Sequence, residues 1–164
     1  MAGTLQTASH RVRQAFLGTF GRLDGRQLDA ALAELPANLR PLFLEMRPRD
    51  QRHAIGVLHR LGPSTELLRQ AALLHDVGKA RAFLGTPGRT LVVLSAATRT
   101  TGLVGRLPTI GPRVLRYIEH PEIGAQMLRD AGAPAALAEI VAEHQAATPR
   151  HAETPRLQEA DGGE

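Results

Sequence analysis

The sequence predicts an all-α fold, and three observations lead to that prediction. Apolar residues recur at steps of three and four along most of the chain, without the strict alternation of a β-strand. Aromatic residues make up only 3% of the chain, so a core has to be built from aliphatic side chains that pack between helices. Eleven prolines and 16 glycines divide the 164 residues into pieces of helix length. A chain of this length is sufficient to bury a core.

The first part of the chain, residues 1–47, is predicted to form an N-terminal helical extension to a helical domain over 48–164. Its first helix is expected over Leu5–Phe20, where apolar side chains fall on one face. Asp24 is a suitable N-cap for a second helix that reaches Leu35. Prolines then limit the chain to short helical pieces. Four apolar residues of these pieces are expected to be buried: Leu39, Leu42, Phe43 and Met46.

Two longer helices are expected next. One covers about Arg49–Leu61 and is ended by a glycine–proline pair. The other has Ser64 as its N-cap and Glu66 in its first turn, where the helix dipole favours an acid. Its apolar pattern continues to about Gly78.

The remaining segments are separated by proline or glycine. They are, in order, a loop over Phe83–Arg89, a helix over about Thr90–Leu107, a break over Pro108–Pro112, one or two turns over Arg113–Glu119, a helix from Pro121 to near Gly132, a helix from Pro134 to His144 or Gln145, a connector over Thr148–Thr154 and a last turn over Arg156–Asp161. Proline suits a first turn because its missing N–H would have no intrahelical partner there.

Composition limits the possible partners. The net charge of +4 comes almost wholly from arginine, and we interpret it as a compositional bias rather than as a nucleic-acid surface. One Tyr and four Phe provide no stacking platform, so nucleic-acid binding is not expected. No signal-peptide pattern is present, and the longest apolar run is far below the ~20 residues of a bilayer span. A cytoplasmic protein is predicted. Two roles are left open for the N-terminal extension: it caps the functional cleft, or it mediates self-association.

Histidines on inward-facing helix positions are the main functional signal. Of seven histidines, His75, His120 and His144 fall on apolar faces and His53 on the flank of one. Two carboxylates, Asp76 and Asp161, share such positions, although burial of a carboxylate is costly unless it is paired or binds a metal. His10 and His59 point away from apolar faces, and His151 lies in a connector. A single inward histidine is usually a hydrogen-bonded core residue, but a shared metal centre satisfies the whole set.

Metal ligands in this chain have to be His, Asp or Glu, because it has no cysteine. His75 and Asp76 are adjacent and so diverge on a helix, which means that other helices supply the remaining ligands. His53, one helix earlier, is the natural candidate. The mixture of imidazole and carboxylate suits a divalent transition metal. The only lysine of the chain, Lys79, follows the pair closely.

These residues resemble the signature of the HD superfamily of metal-dependent phosphohydrolases. The matching elements are His53, Ala71 to Lys79 with the His75-Asp76 pair, and Asp161. Two further segments are similar to the HDIG-type and HD-GYP-like branches of that superfamily: His120-Pro121-Glu122-Ile123-Gly124-Ala125 and Glu143-His144-Gln145. The resemblance covers about Arg49 to Asp161, roughly two thirds of the chain.

The resemblance implies an HD-domain-like helical bundle that holds two divalent ions of Mn, Fe, Co, Ni or Zn. The first ion would be bound by His53, His75, Asp76 and Asp161, and the second by His120 and His144 with Asp76 as a bridge. Asp76 and Lys79 would be the catalytic residues, and Lys79 would bind the substrate phosphate. The implied reaction is cleavage of a phosphate mono- or diester of a small nucleotide-like molecule by a metal-activated water.

Two alternatives stay open within the resemblance. One is a regulatory HD domain that binds a phosphorylated ligand without turnover, and the other is a di-iron oxygenase. Gln145 stands where HD-GYP-like members often carry a second consecutive histidine, and no Gly-Tyr-Pro follows it. Hydrolysis of a cyclic dinucleotide is therefore not predicted.

Overall fold

The computed structural model describes residues 23–82, 108–109 and 111–162. Within these ranges it contains eight α-helices, one 3₁₀ helix and no strand, so the prediction of an all-α fold is confirmed. The α-helices are α1 (Gly25–Ala33), α2 (Arg40–Glu45), α3 (Pro48–Leu61), α4 (Glu66–Leu74), α5 (Gly111–Ile118), α6 (His120–Asp130), α7 (Ala135–Glu143) and α8 (Thr154–Gly162), and the 3₁₀ helix is Val77–Arg81. None of the helices in these ranges is both long and apolar enough to cross a bilayer.

The core is a single cluster of aliphatic side chains to which most of the described helices contribute. Helix α3 packs on α4, α6 packs on both α7 and the 3₁₀ helix, and α8 packs on α3 and α4. Phe43 is the one aromatic residue in the cluster, as expected from the scarcity of aromatics. Leu39 and Met46 are buried with it, whereas Leu42 is only partly buried. Burial of aliphatic side chains between the helices therefore holds the described helices together.

The N-caps agree with the sequence at one helix and differ at another. The Asp24 side chain accepts a hydrogen bond from the Arg26 amide at the start of α1, as predicted. At α4, however, Thr65 is the N-cap instead of Ser64, because the Thr65 hydroxyl accepts a hydrogen bond from the Leu68 amide. The Ser64 hydroxyl donates to a backbone carbonyl in the preceding turn. The helix consequently begins one residue later than the sequence pattern suggested.

The end of α4 also differs from the prediction. The apolar pattern indicated a helix to about Gly78, but α4 ends at Leu74 and His75 is its C-cap. Asp76 has φ −98° and ψ 6°, and the tighter 3₁₀ helix follows it directly. This tighter turn lets Gly78 lie against the backbone at the start of α6, so closely that a Cβ on Gly78 would overlap the His120 carbonyl oxygen. The change of helix type therefore brings His75, Asp76 and His120 together.

Other boundaries differ by a few residues. Helix α5 begins at Gly111, inside the predicted break, because Pro112 is tolerated in a first turn. Helix α8 covers Thr154–Gly162 and is longer than the predicted last turn. Three predicted segments lie outside the described residues: the helix over 5–20, the loop over 83–89 and the helix over 90–107.

Replacement of Gly62 by alanine is expected to lower the free energy of unfolding by about 1–3 kcal/mol. Gly62 ends α3 with φ 63° and ψ −153°, a region that is essentially restricted to glycine. Urea denaturation of the variant measures the loss. The control is Gly56→Ala inside the same helix, where a new Cβ meets only the end of the Arg60 side chain. That change should stabilise the protein by roughly 0.5–1 kcal/mol, and equal effects of both changes would contradict the argument.

Candidate metal centre

Five helices bring all six predicted ligand residues into one cluster. His53 lies on α3, the His75-Asp76 pair on the turn after α4, and His120 at the first position of α6. His144 is the C-cap of α7, and Asp161 lies in the last turn of α8. Four of the six residues are buried, whereas His53 and Asp161 keep about a quarter of their side-chain surface, 26% and 28%, exposed. The cluster therefore has a closed side and a side that faces solvent.

The first of two ligand groups consists of His53, His75 and Asp161. The His53 Nε2 atom lies 2.7 Å from Asp161 Oδ1, and His75 Nε2 lies 3.5 Å from the same oxygen. All three candidate ligand atoms are within 4.8 Å of one another. This group includes the exposed side of the cluster.

The second ligand group consists of Asp76, His120 and His144, and it is buried throughout. Asp76 Oδ1 lies 3.3 Å from His120 Nε2 and 3.8 Å from His144 Nε2. The other carboxylate oxygen, Oδ2, lies 3.5 Å from His75 Nε2 in the first group. Asp76 is thus in contact with both groups, one oxygen toward each.

Backbone carbonyls fix the orientation of the three buried imidazoles. In each case Nδ1 donates a hydrogen bond to the carbonyl oxygen three residues earlier, so the lone pair of Nε2 is turned toward the cluster. The bonds are His75 to Ala72 at 3.0 Å, His120 to Tyr117 at 2.6 Å and His144 to Val141 at 2.7 Å. A carbonyl can only accept, so Nδ1 carries the proton in all three rings. Metal-ligating histidines are usually held in this way.

Two of the polar atoms that converge in the interior of the cluster lack a hydrogen-bond partner among the described residues. They are His75 Nε2 and Asp76 Oδ1, and both are fully buried. His120 Nε2 and His144 Nε2 lie 3.3 Å apart, and a hydrogen bond between them requires one of the rings to be an imidazolium. Burial of unpaired polar atoms costs about 1–3 kcal/mol for each group. Divalent cations bound by imidazole nitrogens and carboxylate oxygens fit this set of donors.

Burial and neighbouring charges set the protonation of the cluster. Burial alone would raise the pKa of Asp76, but the nearby imidazoles of His75 and His120 and the ammonium of Lys79 hold it well below its ordinary value. Burial also opposes ionisation of Asp161, yet contacts with His53 and His75 lower its pKa. Burial and the charge of His75 lower the pKa of His144 to about 4. Anionic carboxylates and a neutral His144 are the forms that bind a metal.

Lys79 lies at the edge of the cluster because the 3₁₀ helix brings residues three apart onto one side. Its Nζ atom donates a hydrogen bond of 2.6 Å to Asp76 Oδ2 and lies 5.6 Å from the centre of the Tyr117 ring. Burial by itself would lower the pKa of Lys79, but the charge of Asp76 outweighs it, and the pKa is raised. Lys79 is therefore a cation beside the candidate ligands.

Metal binding is expected to release a proton from His75. Burial lowers its pKa, but the charges of Asp76 and Asp161 outweigh burial, and the pKa is raised above its ordinary value of 6.5. Part of His75 is then protonated near neutral pH, and a ligand nitrogen has to lose that proton. Metal affinity should therefore rise as pH increases through the His75 pKa. Calorimetry at about pH 6.5 in buffers of different ionisation enthalpy measures the release. Heats that do not depend on the buffer would contradict it.

Tyr117 was missed by the sequence analysis. Its carbonyl accepts the hydrogen bond from His120 Nδ1, and its ring lies near both His120 and Lys79. The available signal was its position, three residues before an inward-facing histidine. Outside the cluster, His59 is exposed, as predicted, and His151 accepts a hydrogen bond from the Glu153 amide. His10 lies outside the described residues.

A family model described as "HD domain" matches residues 52–161, which is about two thirds of the chain. The matched range begins one residue before His53 and ends at Asp161, so it includes every residue of the two ligand groups. We found no match among the curated proteins or among the solved structures.

Proposed function

Since this chain belongs to the HD-domain family, whose members are usually metal-dependent hydrolases, we propose that it is a metal-dependent phosphohydrolase. The proposed substrate is a phosphate mono- or diester of a small nucleotide-like molecule. The proposed ligands are His53, His75, Asp76 and Asp161 for one divalent ion and Asp76, His120 and His144 for another. Mn, Fe, Co, Ni and Zn ions all suit these residues.

One observation carries the proposal: a buried carboxylate turns one oxygen to each of two groups of metal-type ligands. Asp76 Oδ1 is 3.3 Å from His120 Nε2, and Asp76 Oδ2 is 3.5 Å from His75 Nε2. A carboxylate in this position suits a bridge between two ions. Two ions held by these residues would polarise a phosphoryl oxygen and lower the pKa of a bound water.

The protein's own residues would bind and orient the phosphate. Lys79 is the proposed phosphate-binding residue, because its ammonium is cationic and lies next to Asp76. The ring of Tyr117 lies beside that ammonium and is only partly buried, which suits a flat group attached to the phosphate. The phosphate would thus be held next to Asp76, the residue that contacts both ligand groups.

The test combines elemental analysis of the purified protein with a panel of nucleotides and phosphodiesters in the presence of Mn, Fe, Co, Ni or Zn ions. We expect one or two metal ions per chain and release of phosphate or of a monoester from one substrate class. A nucleotide that raises the melting temperature but is recovered unhydrolysed would favour a regulatory domain. Iron with a visible absorption band and consumption of oxygen would favour a di-iron oxygenase. Protein that binds none of these metals would refute the proposal.

A further inference from the structure

Helix α3 contacts the last turn of α8 at two points. His53 Nε2 donates a hydrogen bond of 2.7 Å to Asp161 Oδ1, and Arg60 Nε donates one of 2.7 Å to the carbonyl oxygen of Ala160. His53 and Arg60 are seven residues apart, so both lie on the same face of α3. The first contact involves a candidate metal ligand, and the second involves the peptide unit directly before that ligand.

The earlier part of α8 is held by different residues. Arg156 donates hydrogen bonds to the carbonyl oxygens of Leu61, the last residue of α3, at 3.3 Å and of Pro63, two residues later, at 2.5 Å. Thr65 donates to the carboxylate of Glu153, immediately before α8. Arg60 and Arg156 therefore both fix α8, but only the Arg60 contact adjoins Asp161.

We propose that Arg60 is a positioning residue that holds Asp161 in its metal-binding orientation. The Ala160 carbonyl belongs to the peptide that joins Ala160 to Asp161, so fixing this oxygen fixes the backbone from which the Asp161 side chain projects. Carbonyls in the last turn of a helix lack intrahelical donors, and a cation there is favourable to the helix dipole. Asp161 is partly exposed, so its orientation depends on such contacts more than that of the buried ligands. This inference rests on the proposed metal site.

The experiment compares Co²⁺ binding by the wild-type chain, Arg60→Ala, Arg60→Lys and Arg156→Ala. Arg156→Ala is the matched control, because it removes an arginine that also donates to backbone carbonyls at the junction of α3 and α8. Arg60 is exposed, so its truncation leaves the core intact. We measure affinity by competition with a chelator, the visible Co²⁺ spectrum, and melting temperature.

Arg60→Ala is expected to weaken one of the two Co²⁺ binding steps about 10–100-fold, the range found for residues that orient metal ligands. Its Co²⁺ spectrum should change, and Arg60→Lys should recover part of the affinity. Arg156→Ala should lower the melting temperature without changing affinity or spectrum. Equal affinities of Arg60→Ala and Arg156→Ala would overturn this inference alone. Failure of the wild-type chain to bind Co²⁺ would overturn the proposed function together with it.

Discussion

Asp76→Asn is expected to lower the proposed phosphohydrolase activity about 10³-fold or more and to prevent most of the proposed metal binding. Asp76 contacts both ligand groups, so loss of its charge would weaken the binding of both proposed ions at once. Metal ions contribute several kcal/mol to stabilisation of a phosphoryl-transfer transition state, and each 1.36 kcal/mol corresponds to a factor of ten in rate. A metal at a concentration of 100 Kd raises the free energy of unfolding of the protein that binds it by about 2.7 kcal/mol. The same change should abolish the rise in melting temperature that results from this gain.

The matched control for Asp76→Asn is Asp130→Asn. Asp130 is exposed and accepts a hydrogen bond from Gln126 on the surface of α6, so its replacement should leave metal content and activity unchanged. Circular dichroism of both variants reports whether the helices are intact. A folded Asp76→Asn protein that keeps full metal content and activity would be incompatible with the proposed bridge.

Gly78→Ala is expected to destabilise the protein by about 3 kcal/mol or more and to reduce metal binding. A Cβ at this position would overlap the His120 carbonyl oxygen and lie 2.7 Å from the Gly124 amide nitrogen. These are backbone atoms of α6, so no side chain can rotate away and a helix has to shift. That shift would move His120 away from Asp76. Urea denaturation and Co²⁺ titration measure the two effects.

Gly124→Ala is the informative comparison for Gly78→Ala. It lies on the other side of the same contact, but its Cβ would meet the Gly78 amide nitrogen, Val77 and Val141 at 3.2–3.3 Å, and two of these neighbours are side chains. Alanine also gains up to about 1 kcal/mol over glycine inside a helix. Its net cost should therefore be clearly smaller. Equal destabilisation by both changes would show that the Gly78 backbone contact is not the cause.

Most of the fold and of the candidate site could be predicted because both depend on local patterns. Helical spacing of apolar residues indicated the helices, and it also placed His75, His120 and His144 on inward faces. The resemblance added the match of His53 with Asp161, which are 108 positions apart and which the structure brings into contact at 2.7 Å. No periodicity within a segment contains information about such a distant contact.

The features that could not be predicted depend on contacts between distant segments. Ser64 and Thr65 are both residue types that suit an N-cap. Thr65 is the observed cap, and its hydroxyl also donates a hydrogen bond to the distant Glu153 carboxylate. Helix α4 ends early in a region where Gly78 contacts the backbone of α6, and apolar spacing does not register such a contact. The division at residue 47, the cytoplasmic location and self-association stay predictions.

The hydrogen bonds from the three buried imidazoles to carbonyls have a consequence for how this chain can diverge. The acceptors belong to Ala72, Tyr117 and Val141, whose side chains have nothing in common, because the backbone supplies the oxygen in each case. A substitution at one of these positions that leaves the helix and its packing intact would therefore not alter the tautomer of the histidine. What selection has to preserve is the helical path of the three residues before each histidine. Because the acceptor is a backbone oxygen in each case, no particular side chain accompanies these histidines in the sequence.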